Sequence, residues 1–215
     1  MTTTKKSKSS KSNGASSRRD KVINGAIEVL AKYGARGFTH REIDRHLNHP
    51  QGSTSNYFRR REDLLCAVGA RIMELDLRDA SAVVDSLTRS APVTIERTTS
   101  LLVELLEQWM LPPNRNRALA RMEIVVERIR NQELRIATED QIYLAEKRFQ
   151  SIFKMLGSAH PIQSAQIFVK LLAGVHVLLL EEIDANHRSF LSVLLRDWLT
   201  VSLGCVDKLA HPQTG

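Results

Sequence analysis

Cysteine is scarce: Cys66 and Cys205 are the two in 215 residues. So far apart, they make neither a disulfide framework nor a zinc signature. A reducing, cytoplasmic setting follows as the expectation, and either thiol as a redox sensor lacks a resolving partner nearby in sequence. Long apolar runs are also missing. The longest, Leu171 to Leu180, is broken by His176 and falls short of the ~20 residues a bilayer requires. No apolar stretch follows the N-terminal lysines, so no secretory signal is read. No glycine-rich phosphate loop, HExxH, GxSxG or CxxC occurs. Neither an enzyme nor a cofactor is therefore expected. Glu181, Glu182, Asp184 and His187 cluster where a helix ends, and a solvated turn explains them without a metal.

Acidic charge is sparse in the first third of the chain. Residues 1–65 hold 14 basic and 6 acidic side chains, whereas 66–215 hold 17 and 18. The whole formal charge of +7 thus belongs to the N-terminal part. A basic segment joined to a near-neutral one suggests a polyanion-binding module attached to something with another task.

What is present is helical periodicity throughout. Residues 1–17 are Lys, Ser and Thr with little to bury, and are expected to form a disordered basic arm, either solubilising or touching phosphates. Val22, Ile23, Ala26, Ile27, Leu30 and Tyr33 form one helical stripe, stopped by Gly34. Thr39-His40-Arg41-Glu42 is a capping box that opens a short helix burying Ile43 and Leu47. Asn48 to Gly52 is turn chemistry. A very short helix fits Ser53 to Phe58, and Arg61-Glu62-Asp63 opens a longer one with acids at its positive end. Five more helices follow, at about 94–110, 116–130, 133–156, 162–184 and 188–209, separated by Pro, Gly and Asn signals. The expectation is an all-α chain of about nine helices.

Short helices joined by tight turns and followed by a longer one are the layout of a helix-turn-helix. Gly52, Ser53, Thr54 and Ser55 are small, so the backbone there can approach bases closely. The stretch 20–68, with "AKYGARGFTHREI" and "GSTSNYFRRREDLL", resembles the TetR family of bacterial transcriptional regulators. Gly52, Tyr57, Phe58 and Leu64 match the family pattern, and Ser53 and Arg61 are conservative replacements. Ser55 stands where the family usually has Tyr, and Asn48-His49-Pro50 replaces the usual Gly-Val-Ser turn.

The resemblance implies three parts: the arm 1–17, a helix-turn-helix DNA-binding domain 18–65, and a ligand-binding and dimerisation domain 66–215. It implies double-stranded operator DNA, an unidentified small-molecule effector and a second copy of the chain as partners, with repression the usual outcome. It also implies that ligand re-angles the helix at 62–86. Thr39, Tyr57 and Arg61 are the expected phosphate contacts, with Arg41 and Arg45 on the helix that crosses the backbone. Gln51, Ser53, Thr54, Ser55 and Asn56 are the candidates for base readout, where Gln or Asn pairs bidentately with adenine. Thr39 also reads as a plain cap, Tyr57 as core, and each Arg as a solvated charge.

In the second part, Trp109, Met110, Met122, Tyr143, Phe149 and His176 are candidates for an effector pocket, and each also reads as plain core. Phe168, Leu172, Val175 and Leu179, with Leu191, Leu194, Leu195, Trp198 and Val201, repeat at helical spacing and are the expected homodimer interface. A ligand-independent architectural DNA-binding protein is the competing reading.

Overall fold

The computed structural model describes residues 9–89, 92–181 and 186–204, with side chains from Arg18 onward. Among these residues every regular element is helical: α1 (Ser9–Gly37), α2 (His40–His46), α3 (Arg61–Arg89), α4 (Ile95–Met110), α5 (Asn114–Arg130), α6 (Gln132–Met155), α7 (Pro161–Glu181) and α8 (His187–Gly204). A single 3-10 turn, Thr54–Asn56, lies between α2 and α3. Of the nine expected helices, the one at Ser53 to Phe58 is therefore a single turn. Its span closes on itself, because the amides of Tyr57 and Phe58 both return to the Thr54 carbonyl.

Local chemistry explains the ends. Gly34 takes φ +64°, the left-handed conformation that stops a helix, and the chain kinks there before Gly37. Thr39 Oγ1 accepts the Glu42 amide at 3.2 Å and starts α2. Thr94 and Asn131 cap α4 and α6 in the same way. The helix α1 begins at Ser9, inside the stretch expected to lack structure. Adding a residue to an existing helix costs far less than starting one, so the helix extends backward through Lys and Ser. Residues 1–8 of the expected arm lie outside the described residues.

Two apolar cores share one beam. Leu64, Leu65, Val68 and Ile72 of α3 join Val22, Ala26, Leu30, Phe38 and Ile43 in the first core. Ala120, Ile124 and Leu134 from α5 and α6 complete it. Ala80, Val83, Val84 and Leu87, further along α3, join α4, α6, α7 and α8 in the second. Full burial of each large apolar side chain is worth about 1.5–3 kcal/mol. α3 thus runs unbroken through the 65/66 boundary read from sequence. Tyr33, expected in the first core, is 39% exposed; it lies beside Gly37 with the Lys32 ammonium over its ring at 5.0 Å.

The helices α7 and α8 need a correction. Phe168, Leu172, Leu179, Leu191 and Leu195, expected between subunits, are buried inside this one. Val175 and Trp198 pack partly against the same core, Leu194 is half-buried and Val201 is exposed. Both helices are apolar beyond one stripe, so period alone does not say which face turns inward. The outward apolar face is instead Ile167, Leu171 and Leu178 with Phe190, Val193 and Val201. By length and composition α7 is apolar enough to cross a membrane, contrary to the expectation from Leu171–Leu180 alone. Here Ser164, Phe168, Leu172, His176 and Leu179 bury one side of it against the rest of the protein.

Candidate functional site

The geometry between α2 and α3 is organised by Asp44, a residue no sequence motif marks. Its carboxylate is buried, and accepts the Gly52 amide at 2.7 Å, the Thr54 amide at 2.8 Å and the Thr54 hydroxyl at 2.6 Å. Burial pushes its pKa up, but the hydroxyl and the two amides, aided by His49, hold the carboxyl below its ordinary range. Gly52 takes φ +91° to deliver its amide, and its Cα faces open space. Asp44 therefore fixes the turn that presents residues 51–57.

This arrangement re-sorts the expected DNA contacts. Arg41, Arg45, Gln51, Ser55 and Asn56 are exposed, as is Tyr57 at 37%. Thr39 is exposed beyond its capping role. Arg45 is tied to Glu42, one turn away. Thr54 is 0% exposed with both donors committed to Asp44, so the side chain expected to read bases is a buried strut. Ser53 spends its hydroxyl on the Pro50 carbonyl at 2.6 Å. Arg61 is corrected as well. Its Nε donates to the Phe38 carbonyl at 3.0 Å and its Nη2 to the Ala35 carbonyl at 2.7 Å. It closes the end of α1 rather than standing free at the surface.

A cleft of about 340 Å³ runs between the first half of α1 and the turn, lined by Arg18, Lys21, His49, Pro50, Ser53, Asn56 and Tyr57. Arg18, Lys21 and His49 are cationic or protonatable groups outside the set expected from sequence. Only the fold brings positions 18–21 beside positions 49–57. The density of basic charge in residues 1–65 was the available signal.

The second half holds a cavity of about 440 Å³ between α3, α5, α6 and α7. Of the expected lining residues, Trp109, Phe149 and His176 face it. Met110 is buried in the core elsewhere, Tyr143 is exposed, and Met122 is half-buried away from the cavity. One wall is a charged network. Arg121 grips Asp76 with Nε and Nη2 at 2.6 and 2.5 Å. Arg117 donates to Asp79 at 2.5 Å, and the Trp109 indole N–H donates to the same carboxylate at 2.9 Å. The Arg121 guanidinium sits 4.5 Å over the Trp109 ring, and His176 stacks on that ring at 5.0 Å. His176 is 2% exposed and its Nδ1–H donates to the Leu172 carbonyl. Burial, then the charges of Arg121 and Arg117, lower its pKa to about 3, so the ring is neutral with Nε2 as a bare acceptor.

The helix α5 connects these two regions. Arg121, Val125 and Arg128 face the cavity. Glu123 accepts the Ala35 amide at 3.0 Å. A second tie joins Arg60, just before α3, to Glu133 of α6 at 3.1 Å. Cys66 is half-buried, and burial followed by nearby Glu133 and Asp63 raises its pKa, which disfavours the reactive thiolate. Cys205, Glu182 and Asp184 lie outside the described residues.

The described residues thus place a basic helical unit at one end and a cavity-bearing helical bundle at the other. Residues 93–200 match the family model described as tetracyclin repressor-like, C-terminal domain. A transcriptional regulator from Rhodococcus sp. Rha1 superposes with a TM-score of 0.71 at 12% identity, over 86% of this chain and 95% of its own. A TetR-family member from Streptomyces coelicolor A3 gives 0.64 at 22% identity, over 84% and 97%. The multidrug binding protein EbrR, solved with malachite green, gives 0.63 at 20% identity, over 84% and 97%. At these identities the likeness is one of fold. No curated protein matches the chain. The matched family model spans half of the chain, which therefore belongs to the TetR family of transcriptional regulators.

Proposed function

We propose that the chain is a ligand-responsive, sequence-specific DNA-binding regulator, a homodimer that represses from a palindromic operator until a small molecule releases it. Arg18, Lys21, Thr39, Arg41, Arg45 and Tyr57 engage phosphates, and Gln51, Ser55 and Asn56 read base edges. The exposed face of α7 and α8, with Ile167, Leu171, Leu178, Phe190 and Val193, receives the second copy. Gly174 lies on it with open space at its Cα, which lets helices approach closely. Two-fold pairing sets the half-sites about one helical turn, ~34–36 Å, or a multiple of it apart.

The observation that carries this reading is the double duty of α5: Arg121 and Arg128 face the cavity, while Glu123 holds the end of α1. A molecule that moves α5 moves the anchorage of the DNA-binding unit. A purely architectural binder has no use for such a cavity. The test is fluorescence anisotropy with DNA from beside the chain's own gene, with and without a panel of small aromatic molecules. Sequence-preferring binding that at least one compound weakens supports the reading. Equal affinity for random DNA, indifferent to every compound, contradicts it.

A further inference from the structure

The cavity of about 440 Å³ lies toward the lower end of the range for small-molecule sites, about 300–1,000 Å³. Much of its wall is apolar: Met73, Leu77, Ala80, Val125, Ile142 and Phe149. Into this wall four polar atoms are buried without a hydrogen-bond partner: Arg121 Nη1, Arg128 Nε, Gln141 Oε1 and His176 Nε2. Buried polar atoms are nearly always satisfied, and four orphans around one cavity point to a ligand that satisfies them. Arg121 and His176 are each more than nine-tenths buried.

The chemistry of the four atoms is not symmetric. Arg121 Nη1 and Arg128 Nε are cationic donors. Three cations, Arg121, Arg128 and Lys170, line the cavity against two carboxylates, Asp76 and Glu146. Asp76 is already gripped by Arg121. Arg128 feels the like charge of Arg135 more strongly than the opposite charge of Glu139. Seven residues separate Arg121 from Arg128, two turns on one face of α5, so both present donors to the same side. His176 Nε2 and Gln141 Oε1 are acceptors, and His176 cannot switch role while Nδ1–H is held by Leu172.

Resting on the reading of this cavity as the effector site, we propose that its ligand is a small hydroxylated aromatic carboxylate: the carboxylate binds the α5 arginines, Arg128 foremost, and a hydroxyl donates to His176 Nε2. The aromatic body fills the apolar wall. An arginine–carboxylate pair out of water is directional and stronger than a neutral hydrogen bond, so the anion orients the ligand along α5.

The test is isothermal titration of the full chain with 4-hydroxycinnamate, its methyl ester, 4-methoxycinnamate, and the cation proflavin with which EbrR has been solved. The expected result is binding of the acid at least about tenfold tighter than the ester, which loses a charge-assisted hydrogen bond, and than the methoxy compound, which leaves the buried His176 Nε2 unpaired. Arg128→Gln is expected to erase the preference for acid over ester. His176→Phe, which keeps the stacking ring, is expected to erase the preference for hydroxyl over methoxy. Thermal melts establish that each variant is folded, and Arg128→Lys, which keeps the charge but loses the planar fork, serves if Arg128→Gln is not folded, with the preference for acid over ester expected to fall. Failure of the acid to bind, equal binding of acid and ester, or tighter binding of proflavin overturns the proposal. The affinity of the same preparation for DNA from beside its gene, measured without any probe, separates failure of this ligand class from failure of the regulator reading.

Discussion

The Glu123 carboxylate accepts the Ala35 amide at 3.0 Å, across 88 positions of sequence. Gly34, immediately before, has left helical geometry, so its neighbour's N–H looks outside α1 for an acceptor. Arg61 takes the Ala35 carbonyl from the other side. One peptide segment is thus held by α5 and by the start of α3 together. Glu123→Ala is expected to raise amide exchange at Ala35 by at least about tenfold and to cost about 1–3 kcal/mol of stability. Unchanged exchange at Ala35 in this variant removes the link from the account.

Substitution of Arg61 and of Arg41 tells a structural role from the proposed phosphate contact. Arg61→Ala is expected to lose about 1–3 kcal/mol of stability, because two backbone carbonyls lose a charged donor. Its salt dependence of DNA binding stays as in the parent. Arg41→Ala is expected to leave stability within about 0.5 kcal/mol, since the residue is exposed. It lowers the slope of log affinity against log salt by ~1. Denaturant melts and salt titrations of both variants check the pair, and an exchange of their phenotypes sinks the assignment.

Asp44 governs the acid limb of stability. Its folded pKa lies below the unfolded value of 3.8. Its stabilisation is therefore complete above about pH 4 and is lost as pH falls through the folded value. Asp44→Asn is expected to cost about 2–4 kcal/mol at neutral pH, because Asn satisfies fewer of the three donors. Below pH 4 the gap between parent and variant narrows. Urea unfolding across that range reads it directly, and a gap that widens toward acid contradicts it.

His176 acts in a different window. Its folded pKa of about 3 lies below the ordinary 6.5, so protonation is resisted only in the folded state. Stability is full above about pH 6.5 and falls toward pH 3, with a limiting slope of about 1.4 kcal/mol per pH unit. Arg121 and Arg117 add to the burial that causes this. His176→Phe is expected to flatten that slope, as measured by urea unfolding between pH 7 and pH 4. An unchanged slope shows that the ring is not buried neutral.

Much of this fold was legible because its signals are local. Gly34 and Thr39 announce helix ends through their own backbone and hydroxyl, and the stripe from Val22 to Leu30 is buried as its spacing requires. Thr54 misled because small polar residues serve equally as surface readers and as buried struts, and the deciding partner, Asp44, sits ten residues earlier. The bridges from Asp76 and Asp79 to Arg121 and Arg117 span 38 to 45 positions, and no periodicity marks them. On α7 and α8 the apolar residues exceed one stripe, so the inward and outward faces were told apart only by what packs on them.

Sequence-specific DNA recognition is the central expectation. The measurement is a footprint and an affinity titration on DNA from beside the chain's own gene, against random DNA of equal length at fixed salt. The account predicts two protected half-sites about one helical turn, ~34–36 Å, or a multiple of it apart, and tighter binding than to random DNA by at least about a thousandfold. Equal affinity for both DNAs, with no bounded footprint, contradicts it.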